Sequence, residues 1–190
     1  SCLNGTERCA ETCSKLKEQY DIVVNLQGDA PLTPYWFVED LINELERNLN
    51  AEVVTPVLRC DPDGHRMFME DRKADRVGGT TAVFTIKNKA LYFSKEVIPY
   101  TSKIYKKDEL CPVFHHVGVY AYRKEILSRY VSWGSSNLEI SEGLEQLRFM
   151  ENNKKILCVE VEAKGRKFWE LNNPEDIGKL EDFMSKMGIN

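Results

Sequence analysis

One carboxylate stands where an apolar run gives way to a turn: in Asn25-Leu26-Gln27-Gly28-Asp29-Ala30-Pro31, Asp29 sits in the turn that closes the run. A hard carboxylate oxygen in that position suits Mg²⁺ that keeps most of its waters and bridges to a nucleotide phosphate. Gly28-Asp29 equally suits a plain turn that caps the next helix. Further on, His115 and His116 precede Val117-Gly118-Val119-Tyr120, and strand alternation puts His116 and Tyr120, four positions apart, on one face. An imidazole and a phenol so placed can hydrogen-bond a sugar acid, or can form a satisfied core pair. Glu142, Glu145 and Gln146 are spaced to share a helix face, fitting either a polyhydroxy ligand or solvent. Lys95, beside an apolar run, stands out from Lys103, Lys106, Lys107 and the Arg123–Lys124 pair as a cation for a phosphate or carboxylate. No Gly-rich phosphate loop, Ser-His-Asp order or metalloprotease motif occurs, which counts against the common hydrolases and kinases.

The elements that must position these groups follow from periodicity. Residues 6–20 predict a helix with Ala10, Cys13 and Leu16 on one side, and 21–26 a strand apolar on both faces, as a buried parallel strand is. A helix over 35–48 carries the stripe Phe37, Val38, Leu41, Ile42 and Leu45, and valine-rich 51–58 is the next strand. This alternation predicts an α/β fold, which binds ligands at the carboxyl ends of its strands. Residues 59–79 and 100–112 read as surface excursions, with strands at 80–86 and 90–95 between them. A strand over 114–122 and a short helix over 123–130 come next. Ser136 and Glu139 then match a capping box opening a helix over 138–150. A last strand spans 155–161. Asn173-Pro174-Glu175-Asp176 starts a final helix whose buried stripe is Ile177, Leu180, Phe183, Met184 and Met187. No repeat or linker divides residues 1–190, so a single domain is expected.

With 42% apolar and 29% charged residues, the 190-residue chain has the balance of a folded globular protein. Its 26 basic and 30 acidic side chains give a formal charge of −4, so no global field draws it to nucleic acid or anionic membrane. Any phosphate site must be local. No apolar run suggests a spanning helix or signal peptide, and the chain reads as cytoplasmic. The dispersed cysteines Cys2, Cys9, Cys13, Cys60, Cys111 and Cys158 contain no Cys-x-x-Cys pair and read as free thiols.

Taken in order, five segments resemble the successive blocks of the 3-deoxy-manno-octulosonate (Kdo) cytidylyltransferase family. They are Asn4-Gly5-Thr6-Glu7-Arg8, Asn25-Leu26-Gln27-Gly28-Asp29-Ala30-Pro31, Ala90-Leu91-Tyr92-Phe93-Ser94-Lys95, His116-Val117-Gly118-Val119-Tyr120-Ala121-Tyr122-Arg123 and Leu144-Glu145-Gln146-Leu147-Arg148. The likeness covers nearly the whole chain and is weakest over 59–79. It implies a Rossmann-like nucleotide-diphospho-sugar transferase sheet flanked by helices. The implied enzyme is a cytoplasmic homodimer that uses Mg²⁺ to join CTP and Kdo into CMP-Kdo and pyrophosphate, for surface polysaccharide such as lipopolysaccharide or capsule. By that likeness Asp29 holds Mg²⁺ and Gln27 sits in the sugar site. His116, Tyr120, Glu145 and Gln146 contact the sugar acid, Lys95 its carboxylate, while Gly5, Thr6 and Arg8 lie beside nucleotide and sugar.

The sequence also departs from the family. Members begin with a strand and a loop that grips the CTP phosphates, whereas this sequence opens at the later Gly5-Thr6-Glu7-Arg8 block, so that strand and phosphate loop are expected to be missing. Asn172 stands where an Asp, the second metal ligand, is usual, and a neutral amide binds Mg²⁺ less strongly. Lys95 replaces an Arg and Ala30 a Glu, which leaves room for another 3-deoxy-2-ulosonic acid, a sialic acid relative among them. The competing reading is a non-catalytic subunit that binds the sugar or CMP-sugar and retains the fold.

Overall fold

The computed structural model describes residues 2–18, 20–103 and 105–189. Gln19 and Ile104, within the predicted first helix and the second excursion, lie outside the described residues. Among the described residues the elements run α1 (Gly5–Lys15), β1 (Ile22–Leu26), α2 (Tyr35–Arg47), β2 (Val53–Arg59), α3 (Pro62–Lys73), β3 (Thr80–Phe84), β4 (Ala90–Ser94), β5 (Phe114–His116), β6 (Val119–Arg123), α4 (Lys124–Trp133), α5 (Asn137–Glu142), α6 (Leu147–Glu151), β7 (Ile156–Val161) and α7 (Asp176–Lys186). The strands form one sheet in the order β1-β6-β2-β5-β3-β4, with β7 parallel to β2 on its other side and every other pairing antiparallel.

Valine-rich β2 organises this sheet. Along one edge it faces β5 and then β6, with Val57 opposite His116 and Val54 opposite Ala121. Val117 and Gly118 are therefore extra residues in what is otherwise one strand. Below the break β5 goes on to pair with β3; above it β6 pairs with β1. The sheet thus forks at Val117–Gly118, and the fork leaves a gap between the end of β1 and the start of β3.

Alternation sorts the two cores. Val54, Val119 and Ala121 pack with Phe37, Leu41 and Leu45 of α2, with Phe68 of α3, and with Trp169 and Leu180. The opposite face puts Val53, Val57, Tyr120 and Tyr122 against Ile126, Leu127 and Tyr130 of α4 and Leu147 and Phe149 of α6. Phe37, Leu41 and Leu45 are fully buried, and each such side chain stabilises the fold by roughly 1.5–3 kcal/mol.

Several expectations need correction. The first helix stops at Lys15, and Leu16 is extended and exposed. β1 is neither parallel nor fully buried: it pairs antiparallel with β6 and most of it is half-buried. The stretch 59–79 is not a surface excursion, because it contains α3, capped by Asp61 (Gly64 N–H to Asp61 Oδ1, 2.7 Å) and opened by Pro62. Its buried residues are His65, Phe68 and Asp71, a stripe with only one apolar member, so hydropathy does not betray it. The helix expected over 138–150 is two short helices with an elbow between them. Gly143 sits at φ +63°, a left-handed conformation that glycine adopts without a Cβ penalty. In α7, Leu180 is buried but Ile177 is exposed.

Candidate active site

A cleft of about 490 Å³ opens at the fork of the sheet. Its floor is the strand on either side of the break, where the His116 and Tyr120 rings lie 5.4 Å apart. His116 is buried, and burial pushes its pKa down to about 4, so the ring is neutral at neutral pH. His116 Nε2 lies 2.9 Å from Thr55 Oγ1, and the Thr55 hydroxyl gives its own proton to the Val119 carbonyl at 2.8 Å. The ring must then donate through Nε2, and this network assigns Nδ1 as the acceptor. The Tyr120 hydroxyl donates to Gln146 Oε1 at 3.0 Å. Gln146 Nε2, buried in the same wall, has no partner and is a donor waiting for a ligand.

The elbow at Gly143 supplies the next wall. It carries Glu145, whose carboxylate accepts the Thr6 backbone N–H at 2.7 Å and a bond from Gln27 Nε2. Burial raises the Glu145 pKa above the ordinary carboxylate value, against the pull of these hydrogen bonds. Gln27 in turn presses on the strand break, where a Cβ on Gly118 would lie 2.7 Å from Gln27 Oε1 and would push that amide aside. Behind this wall Arg148, fully buried, grips Glu139 with two nitrogens (2.7 and 2.6 Å) and Glu7 at 2.9 Å, and lies 4.1 Å over the Tyr130 ring. Tyr130 bonds the Glu145 carbonyl, and Asn4 bonds Tyr130 and Glu139. The first turn of α1 is thereby fastened to the elbow.

The rim carries charge. Asp29 is exposed on the turn after β1, and its pKa is raised, first by partial burial and then by the charge of Glu170. Glu170 and Asn172 line the cleft with it. Glu170 accepts the Gly118 N–H at 2.9 Å and stands 3.5 Å from His115 Nε2. Burial disfavours charge on Glu170, but His115, His116 and the Gly118 N–H together hold its pKa below the usual value. On the opposite rim the exposed Lys95 ammonium reaches over Gly143, where a Cβ would lie 2.7 Å from Nζ.

The structure thus brings Gly5, Gln27, Asp29, Lys95, His116, Tyr120, Glu145, Gln146 and Asn172 around one cleft. Three expected contacts stand off it. Thr6 is buried behind the wall, bonded to Tyr122 and Glu145. Arg8 lines a neighbouring groove along β1, which meets the cleft at Gly5, Gln27 and Asp29. Glu142 does not share a face with Glu145 and Gln146, because the elbow turns them apart; it braces the end of β4 through Ser94 Oγ (2.8 Å), Tyr92 and the Lys95 N–H. Glu170, Glu139 and Asn4 line the cleft without having been read as site residues in the sequence, where Glu139 figured only in the capping box. An acid directly after Phe168-Trp169 was the available sign for Glu170. For a metal, the cleft offers oxygens of Asp29, Glu170 and Asn172, the donor type that Mg²⁺ prefers. Among the described residues no three His, Cys, Asp or Glu side chains gather closely enough to hold an ion by themselves.

The mixed α/β sheet flanked by helices is a fold shared with solved nucleotidyltransferases. The inositol-1-phosphate CTP transferase of T. maritima shares this fold, with a TM-score of 0.53 at 14% identity over 92% of this chain and 60% of that one. Residues 1–156 match the family described as Cytidylyltransferase. A 3-deoxy-manno-octulosonate cytidylyltransferase of Maricaulis maris is 36% identical over 98% of this chain and 71% of its own length. One from Chlamydia abortus is 38% identical over 97% of this chain and 66% of its own length. The solved structure of a CMP:2-keto-3-deoxy-manno-octonic acid synthetase complexed with CTP superposes with a TM-score of 0.75 at 28% identity, over 98% of this chain and 70% of that one. The chain belongs to the 3-deoxy-manno-octulosonate cytidylyltransferase family, and spans 66% to 71% of the length of these two relatives.

Proposed function

We propose that the protein transfers the cytidylyl group of CTP to Kdo or a related 3-deoxy-2-ulosonic acid, giving a CMP-sugar and pyrophosphate. The observation that carries this reading is the fork cleft itself, which sets an exposed carboxylate, Asp29, across from a neutral imidazole, a phenol and an unpartnered amide. The anomeric hydroxyl of the sugar loses its proton to solvent and forms a new bond to the α-phosphorus, and the bond to the bridging β-phosphate oxygen breaks as pyrophosphate leaves. Such a reaction asks the protein mainly for positioning and charge neutralisation. His116, fixed as the Nε2–H tautomer, accepts from a sugar hydroxyl through Nδ1, and Gln146 Nε2 donates to the acid. Lys95 faces the sugar carboxylate. Glu145 touches no reacting atom in this scheme; it holds Gln27 and the first turn of α1 in place. Asp29 and Asn172, with Glu170 near, would hold Mg²⁺, which would supply neutralisation of phosphate charge.

The same reading makes the protein a cytoplasmic homodimer serving surface polysaccharide synthesis, a state that size-exclusion chromatography with light scattering checks. No described helix is long and apolar enough to cross a membrane. The decisive assay is pyrophosphate release, expected only when CTP, Mg²⁺ and Kdo or a related acid are present together. Binding of the sugar without turnover under any of these conditions would leave a binding subunit instead. Asp29→Ala should abolish the Mg²⁺-dependent rate while the exposed position leaves the fold intact.

A further inference from the structure

Resting on that reading, we propose that Glu170, and not Asn172, supplies the second negative charge seen by a divalent cation in the cleft. The Leu171 N–H donates to the Asp29 carbonyl at 2.8 Å, so residues 170–172 run directly alongside the Asp29 turn. Leu171 is 42% exposed, while both its neighbours line the cleft. Glu170 and Asn172 therefore flank Asp29 in one stroke of backbone geometry, and of the two only Glu170 is an acid.

Glu170 also has capacity to spare. A carboxylate has about four acceptor sites. One of the Glu170 oxygens takes the Gly118 N–H at 2.9 Å; the other has only a 3.5 Å approach to His115 Nε2, which itself makes no hydrogen bond. At 7% exposure its charge is poorly screened by water, so a cation at Asp29 feels it more strongly than it would feel a surface acid. Two carboxylates of like sign facing one space repel, and a divalent ion between them removes that repulsion. Mg²⁺ commonly uses one or two carboxylates and completes its shell with water and phosphate.

The test uses Mn²⁺ alone as a paramagnetic probe of the whole chain, followed by NMR. In the wild-type protein the Gly118 and Leu171 amide signals should broaden first. Glu170→Gln keeps the size of the side chain and removes its charge, and should need about tenfold more Mn²⁺ for the same broadening. Asp29→Asn should do the same. Asn172→Asp gives an independent reading if Glu170→Gln does not fold. A site that already has two charges should gain less than about threefold from it, whereas a site with one should gain about tenfold or more. Wild-type broadening in Glu170→Gln, with the response lost in Asp29→Asn, overturns this proposal alone. No Mn²⁺ response near Asp29 in the wild type overturns it together with the metal-dependent part of the proposed function.

Discussion

The carboxylate of Glu145 accepts the backbone N–H of Thr6 at 2.7 Å across a separation of 139 residues. One buried bond therefore ties the first turn of α1 to the elbow after α5. Glu145→Ala would leave the Thr6 N–H and the Gln27 amide without an acceptor, a loss expected to cost about 1–3 kcal/mol. Urea unfolding should show a lower midpoint with an unchanged slope. An unaltered midpoint would mean that the other anchors of α1, among them Asn4, Glu7 and the Thr6–Tyr122 hydroxyl bond, suffice without Glu145.

The neutral burial of His116 sets a pH dependence. Its folded pKa is about 4 against an ordinary 6.5, so between those values the unfolded chain binds the extra proton. Stability should fall as pH drops from 6.5 toward 4, by up to about 3 kcal/mol in total. His116→Gln should flatten that part of the curve, measured by denaturant unfolding at a series of pH values. A slope that survives the substitution would assign the effect to other groups.

Arg148 pairs with two acids, Glu139 and Glu7. Replacing it by Met strands the buried Glu139 and leaves the half-buried Glu7 without its guanidinium partner, and the expected loss is about 3–5 kcal/mol. Arg148→Lys should recover less than half of that, because an ammonium cannot grip both Glu139 oxygens as the planar fork does. Full recovery by lysine would reduce the site to simple charge balance.

Lys95 is an exposed cation that lines the cleft. Lys95→Met should raise KM for the sugar acid about tenfold with little change in kcat, the pattern of an interaction made equally in ground and transition states. Lys95→Arg should lower KM below that of the wild type if the sugar carboxylate is the partner, since the guanidinium offers a bidentate contact. Steady-state kinetics at fixed CTP separates these outcomes, and an unchanged KM in both variants would make Lys95 a solvated lysine.

Much of the frame was legible from apolar spacing alone. Phe37, Leu41 and Leu45 mark α2, and the valines mark β2, because burial of a contiguous stripe leaves its period in the sequence. α3 left no such trace, since its inward residues are mostly polar. The interruption at Val117–Gly118 was invisible for a different reason. It inserts an even number of residues, so alternation resumes in phase and His116 and Tyr120 still share a face, as the spacing predicts. The fork that this interruption creates depends on which partner each half finds, and that is tertiary information. Glu142 was misplaced because the single helix expected over 138–150 is broken at Gly143, the corner of the elbow.

His116 and Tyr120 ride on strands bonded along both edges, whereas Asp29 and Asn172 hang on turns joined by a single backbone bond. The floor of the cleft is consequently stiff and its rim compliant. Laboratory redesign has an asymmetric choice here: rim side chains can be exchanged with little penalty to the scaffold, while altering sugar preference means disturbing the framework that every other element leans on.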